Sequence, residues 1–361
     1  MKKSRVISII IAVLAVSAGY LFFSQQKQLK IFSAQQSITV DQTVVESQEP
    51  LPELPKEVSL VAVGDIMLSR VVGQKMVKNG YDYPFAKLTD FLSDADLTFG
   101  NLETAITPGR RVETGEFMFR ADAESATALK RAGFDIVSLA NNHSPNFGAK
   151  GLEDTFKYLN DAGVKYVGAG NNQEEANQPV YLTTNGLTLA FLAYNDDDVV
   201  PAGYEAGQSR AGTAFMRIEA MQQAVTAAKA ETDFVIVSMH SGTEYVSKGN
   251  SSQIAFARGA IDAGAELVIG HHPHVVQNVE KYNGKYIFYS LGNFIFDQMW
   301  SQETREGLAV KIFFNRDGVD KISLHPVLIS DYSQPALITD NSGQSILKRL
   351  NYPFTNNVIT D

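Results

Sequence analysis

Apolar runs of strand length recur along this chain, and many of them stop at a short polar signature. Ser59–Val63 stops at Gly64-Asp65, Asp96–Phe99 at Gly100-Asn101-Leu102-Glu103, and Phe134–Ala140 at Asn141-Asn142-His143. Phe234–Met239 stops at His240, and Glu266–Ile269 at Gly270-His271. Between these runs, apolar residues recur at helical spacing near 67–78, 122–132, 149–162, 217–230 and 251–263. The alternation predicts an α/β fold. After His274 the helical periods thin out. Val275–Glu280, Tyr286–Ser290, Leu308–Phe314 and Lys321–Val327 read as strands, with turns at Asn283-Gly284 and Asp317-Gly318. The pattern predicts one domain over 58–330 and a polar C-terminal tail over 331–361.

The first residues follow a different rule. Lys2, Lys3 and Arg5 precede an unbroken apolar run of 18 residues, Val6 to Phe23. A helix needs about 20 such residues to span a bilayer. Residues 1–23 are therefore expected to form a transmembrane helix. Its basic flank puts the N-terminus in the cytoplasm and the rest of the chain outside, as a single-pass protein of the cell membrane. The alternative is a cleaved signal peptide, because Val16-Ser17-Ala18 resembles a small-residue cleavage site. Residues 24–57, rich in Gln, Ser, Val and Glu with Pro50, Pro52 and Pro55, keep no period and read as a linker. As a random coil such a linker spans roughly 35 Å.

Composition narrows the chemistry. A net charge of −9 argues against nucleic acid as a partner. The absence of cysteine excludes disulfides, thiolate ligands and a cysteine nucleophile. Five of the six histidines fall within Asn141-Asn142-His143, His240 and Gly270-His271-His272-Pro273-His274. Ligands in α/β folds bind where strands end, so these segments are expected to build one polar site. Asp65, Glu103, Asn142, His240, His272 and His274 offer oxygen and imidazole donors, which suit Mn, Zn or Fe. The set is large enough for one or two divalent ions. Single elements have plain structural readings: Gly64-Asp65 as a strand-to-helix turn, His240 as a buried histidine. Three imidazoles in one short loop have no such reading.

Together these motifs resemble the CapA family. The resemblance is carried by Gly64-Asp65-Ile66-Met67, Gly100-Asn101-Leu102-Glu103, Asn141-Asn142-His143, His240-Ser241-Gly242-Thr243-Glu244-Tyr245, Gly270-His271-His272-Pro273-His274-Val275 and Tyr289-Ser290-Leu291-Gly292-Asn293-Phe294-Ile295-Phe296-Asp297. It implies a membrane-anchored protein of poly-γ-glutamate capsule biosynthesis. The implied partners are an anionic capsule polymer and membrane-bound synthesis proteins. The implied fold is a metallophosphatase-like α/β/β/α sandwich related to calcineurin-like phosphoesterases.

Residue by residue, Asp65, Asn142, His240, His272 and His274 resemble metal ligands of those phosphoesterases, and His143 the catalytic acid. Met67 stands where a histidine is usual, and Asn101 where a bridging aspartate is usual. An amide bridges metals poorly, so either Glu103 takes over the bridging task or the site holds a single metal. Glu244 and Asn293 are candidate supporting residues. Asn146 and Ser241 replace a usual Asp and Trp. Two other functions stay open: a metal-dependent phosphoester or amide hydrolase, and a non-catalytic polymer-binding assembly subunit.

Overall fold

The computed structural model describes residues 57–113 and 115–360. The expected anchor and all of the expected linker except Glu57 lie outside them. Among the described residues no helix is long and apolar enough to cross a membrane.

The strands form two large sheets in a mixed α/β fold. The larger sheet has nine strands. At its centre Val58–Ile66 pairs in parallel with Leu97–Leu102, which pairs in parallel with Ile136–Ser138, and that with Lys165–Val167. On its other side Val58–Ile66 meets Glu306–Asn315 antiparallel, followed by the antiparallel Gly318–Ser330. The second sheet has six strands. Lys285–Phe288, Leu267–His271, Phe234–His240 and Leu187–Asn195 run parallel, with antiparallel hairpins at both edges.

Strand side chains alternate between faces, and here both faces are buried. Leu60 and Ala62 face the core between the sheets, with Leu189, Phe191, Ile236, Leu267 and Ile269 of the other sheet. Val61 and Val63 face the opposite way. They pack in a core with Val72 and Met76 of helix Arg70–Asn79, Leu129 of Glu124–Arg131, and Leu152, Phe156 and Leu159 of Gly148–Ala162. Leu192, Val235 and Val237 form the third core, with Met221 and Val225 of Ile218–Lys229 and Phe256 of Ser251–Asp262. This double burial is why the strands read as continuous apolar runs. The five helices lie within three residues of their expected ends.

The strand expected at Val275–Glu280 forms at Val279–Tyr282, and Lys165–Val167 was not expected; two larger features also depart from expectation. The first is Leu187–Asn195, an interior strand of the second sheet outside the expected set. It forms a hairpin with Val180–Thr184 through Asn185 and Gly186, at φ 47° and 75°. That is the geometry of a tight hairpin turn and the same Asn-Gly signal that was expected at Asn283-Gly284. The second is the segment after 330, which is no tail. Gln334–Leu337 and Val358–Thr360 pair with Gly318–Ser330. Ile346, Leu347, Leu350 and Ile359 are buried in the core between the sheets. The segment is polar on average, but its leucines and isoleucines pack inward, while Tyr332 stays exposed.

Leu347→Ala should therefore destabilise the whole domain by about 2–5 kcal/mol. Exposed Lys348→Ala should stay within about 0.5 kcal/mol. Urea midpoints measure both, and equal midpoints would mean that the C-terminal segment is not part of the core.

Candidate metal centre

Strand register brings the signature residues together. In the larger sheet Asp65 lies beside both Asn101 and Asn293. In the second sheet His240 lies beside His271. Asp65, Asn101, His240 and His271 are at the carboxyl ends of parallel strands, and Asn293 opens the short strand Asn293–Ile295 that meets them. The backbones that converge there leave no room for side chains at two glycines. A Cβ on Gly64 would sit 1.9 Å from the Gly292 carbonyl oxygen, and one on Gly270 the same distance from that of Tyr289. Each glycine lets the next residue, Asp65 or His271, enter the site.

Asp65 is fully buried. Its Oδ1 accepts from Asn101 Nδ2 at 2.9 Å and lies 3.3 Å from His271 Nδ1. Its Oδ2 accepts from the His272 backbone N–H at 3.3 Å and lies 3.3 Å from His274 Nδ1. Burial by itself would raise its pKa, but hydrogen bonding and charge from His271 and His274 hold it well below the usual carboxylate range. Burial would likewise lower His274, yet Asp65 and the nearby Glu103 lift it to about 9.

Glu103 is also fully buried, and neither carboxylate oxygen has a hydrogen-bond partner. Burial and then the charge of Asp65 push its pKa well above the ordinary value. A carboxylate in this setting is costly unless a cation or proton balances it. One oxygen each of Asp65 and Glu103 and a nitrogen of His240 lie within 4.8 Å of one another, a spacing that can hold a metal ion. His272 Nδ1 and His271 Nε2 are buried without hydrogen bonds as well. Burial draws His240 well below its normal pKa and His272 down to about 3, so both are neutral. Neutral imidazole and unpartnered carboxylate are the forms that bind divalent cations. His272 and His274 also hold φ of 99° and 57°, unusual for residues with a side chain. Such strain costs of order 1–3 kcal/mol and gathers at functional sites.

Asn142 and His143 are half-buried at the open edge. Asn142 Oδ1 meets His240 Nε2 at 3.0 Å. His143 stacks on Phe119 with ring centroids 3.8 Å apart. Asn146 Oδ1 accepts from the Phe119 backbone N–H and lies 3.0 Å from His143 Nδ1. That fixes the proton on Nδ1 and turns Nε2 inward, 3.6 Å from Glu103 Oε1. Burial lowers the His143 pKa to about 4.

Of the supporting residues, Asn293 Oδ1 meets His274 Nδ1 at 3.0 Å, and Asn101 bonds Asp65. Glu244 is exposed on the rim, where Tyr245 stacks 6.1 Å from His274 and meets the exposed Trp300 edge-to-face at 4.6 Å. Sequence reasoning passed over His271, Asn141 and the orienting role of Asn146. The Asn-Asn pair and the run of three histidines were visible, but which members face inward depends on the turn.

Residues 59–298 match the family described as bacterial capsule synthesis protein PGA_cap. The chain belongs to that family. The capsule biosynthesis protein CapA of Bacillus anthracis is 34% identical over 286 residues, 77% of this chain and 69% of that protein. The PGA biosynthesis protein CapA of Bacillus subtilis is 32% identical over 290 residues, 80% of this chain and 76% of the other. The resemblance carried by the motifs of this PGA_cap member is thereby confirmed. Among solved structures, a hypothetical protein from Thermus thermophilus aligns with a TM-score of 0.49 at 17% identity, over 74% of this chain and 98% of its own. An NAD nucleotidase from Haemophilus influenzae gives 0.46 at 12%, over 82% and 62%. These superpositions are partial and bear on neither the reaction nor the site.

The electrostatics of Glu103 give a signed expectation. Its folded pKa lies above the ordinary 4.5 of an unfolded chain. The protonated carboxyl thus favours the fold below that pH, and this contribution is lost as pH rises through the folded value. In excess chelator at pH 7, Glu103→Gln should melt at a higher temperature than wild type, and the gap should close below pH 4.5. An unchanged or lower melting temperature at pH 7 would show that Glu103 is already compensated without a cation.

Proposed function

We propose that this chain is a membrane-tethered, extracytoplasmic protein of poly-γ-glutamate capsule synthesis that works through a divalent-metal centre. Membership of the capsule synthesis family supports the biological role. The observation that carries the metal centre is Glu103, buried with both oxygens unpartnered beside Asp65. Asp65, Glu103, His272 and His274 are the donors we assign, with Asn142 and His240 alongside. Mn, Zn or Fe fits a set of oxygen and nitrogen donors without thiolate. In this reading the two sheets and their flanking helices form a metallophosphatase-like α/β/β/α sandwich. The segment 1–23 anchors the domain beside its membrane-bound synthesis partners.

A divalent cation bound there would act as a Lewis acid on a phosphoryl or acyl group. The protein's own residues do the rest. Asn293 orients His274, and Asn146 orients His143 so that its Nε2 faces the centre. Burial disfavours the protonated imidazole, but an anionic substrate beside the ring favours it. A proton on Nε2 then lies where a leaving oxygen needs one. The substrate class that follows is an anionic polymer or phosphoester, cleaved or transferred outside the cell.

The deciding measurement is metal content of the purified exported domain by elemental analysis, alongside hydrolysis of polyglutamate and of a generic phosphoester. Changing His272 and His274 together to Ala should abolish binding at low micromolar metal, and unchanged stoichiometry would sink the assignment. His143→Ala should keep the metal and lose ~10²–10⁴ in rate, more for poor leaving groups than for good ones. Full activity in that variant would instead favour an assembly subunit that binds polymer without cleaving it. Membrane fractions should retain the intact chain; a shortened soluble product beginning near Gly19 would mean a cleaved signal.

A further inference from the structure

Asn101 stands between Asp65 and His240, and the bonds around its amide permit one orientation. An amide's oxygen and nitrogen ends are told apart by the donors and acceptors that face them. Asn141 Oδ1 accepts from the backbone N–H groups of His143 and Ser144, at 3.0 and 2.8 Å. Backbone N–H groups only donate, so the NH2 of Asn141 points the other way. It donates to the Leu102 carbonyl and to Asn101 Oδ1, both at 3.0 Å. The NH2 of Asn101 is therefore turned into the site, 2.9 Å from Asp65 Oδ1 and 3.3 Å from His240 Nδ1.

The consequence passes to His240. Its Nδ1 must offer a lone pair to Asn101, so the proton of the neutral ring sits on Nε2. That proton is donated to Asn142 Oδ1 at 3.0 Å. His240 lies within ligand distance of Asp65 and Glu103, yet it has no lone pair left for a cation, and the Asn142 oxygen is engaged. His274 is arranged in the opposite way. Asn293 donates to Gln298 Oε1 and to the Thr304 carbonyl, so its oxygen faces His274 Nδ1 and leaves Nε2 free. A histidine that donates its other N–H to a fixed acceptor is the usual state of a metal ligand.

We propose that the two N–H groups of Asn101 take the place of a second cation. The centre then holds one divalent ion, on the side of Asp65, Glu103, His272 and His274, and His240 with Asn142 forms a hydrogen-bonding wall. This rests on the metal reading above and narrows it. A bridging group of a two-metal centre must offer lone pairs to both ions. Asn101 offers hydrogens at both positions instead. Asn101→Asp restores the lone pairs: one carboxylate oxygen still accepts from Asn141, and the other accepts a hydrogen bond from His240, whose proton now sits on Nδ1. The Nε2 lone pair and the Asn142 oxygen are then released together.

The test is manganese per chain in full-length protein loaded with excess Mn(II) and freed of unbound ion, with the electron paramagnetic resonance spectrum of the same samples. Wild type should hold one equivalent with an uncoupled six-line spectrum. Asn101→Asp should hold two, with the spectrum of a coupled pair. Two coupled ions in wild type would overturn the inference and leave the metal centre standing. No bound manganese in wild type, with none recovered for zinc or iron, would overturn both. A single ion in folded Asn101→Asp would overturn the role given to Asn101. If that variant does not fold, the wild-type count and spectrum decide the matter alone.

Discussion

Two fully buried carboxylates, Asp65 and Glu103, share one small space at the carboxyl ends of the parallel strands. Like charges at that range cannot both persist in a dry interior without compensation. Asp65 is compensated within the protein, by His271, His274 and the Asn101 amide. Glu103 is not, and both of its oxygens are left over. Much of the surrounding architecture serves to hold this imbalance in place. Gly64 and Gly270 let backbones approach so that the neighbouring acid and histidine point inward. The strained φ values of His272 and His274 aim two imidazoles from one short loop.

Neutral amides do the orienting. Asn141, Asn101, Asn146 and Asn293 each have one end committed to a backbone group or to another committed amide, so the other end is dictated. An asparagine has a donor end and an acceptor end and carries no charge. It can therefore decide which nitrogen of a histidine holds the proton without adding to the charge already buried. His143 and His274 are left with free Nε2, His240 with none. Such control is what an outer layer of hydrogen bonds contributes to a metal site.

The rim supplies different chemistry. Arg70, one of the arginines near the first motif loops, is not a free cation there. It pairs with Asp297, and its guanidinium lies 4.7 Å from the centroid of the Phe119 ring on which His143 stacks. Arg120 is likewise spent on Asp122 and the Thr107 carbonyl. What the edge of the site presents to solvent is Asn142, His143, Glu244, Tyr245 and Trp300, a surface of hydrogen-bonding groups and aromatic rings.

Much of the fold was legible in the sequence because local order sufficed. Helical periods marked the five long helices, and continuous apolar runs marked strands buried on both faces. The convergence of Asp65, Asn101, His240, His272 and His274 followed from one rule, that ligands gather where such strands end. What escaped was decided by contacts distant in sequence. Leu187–Asn195 ends without a histidine or glycine signature, although its Asn185-Gly186 turn was in plain view. The segment after 330 is polar on average, and only docking against the inter-sheet core shows that Ile346, Leu347 and Leu350 belong inside. Residue types therefore determined that this chain gathers a polar cluster of carboxylates, amides and imidazoles at its strand ends. The tertiary structure alone decided which lone pairs that site has left to give, because an amide's direction depends on groups dozens of residues away.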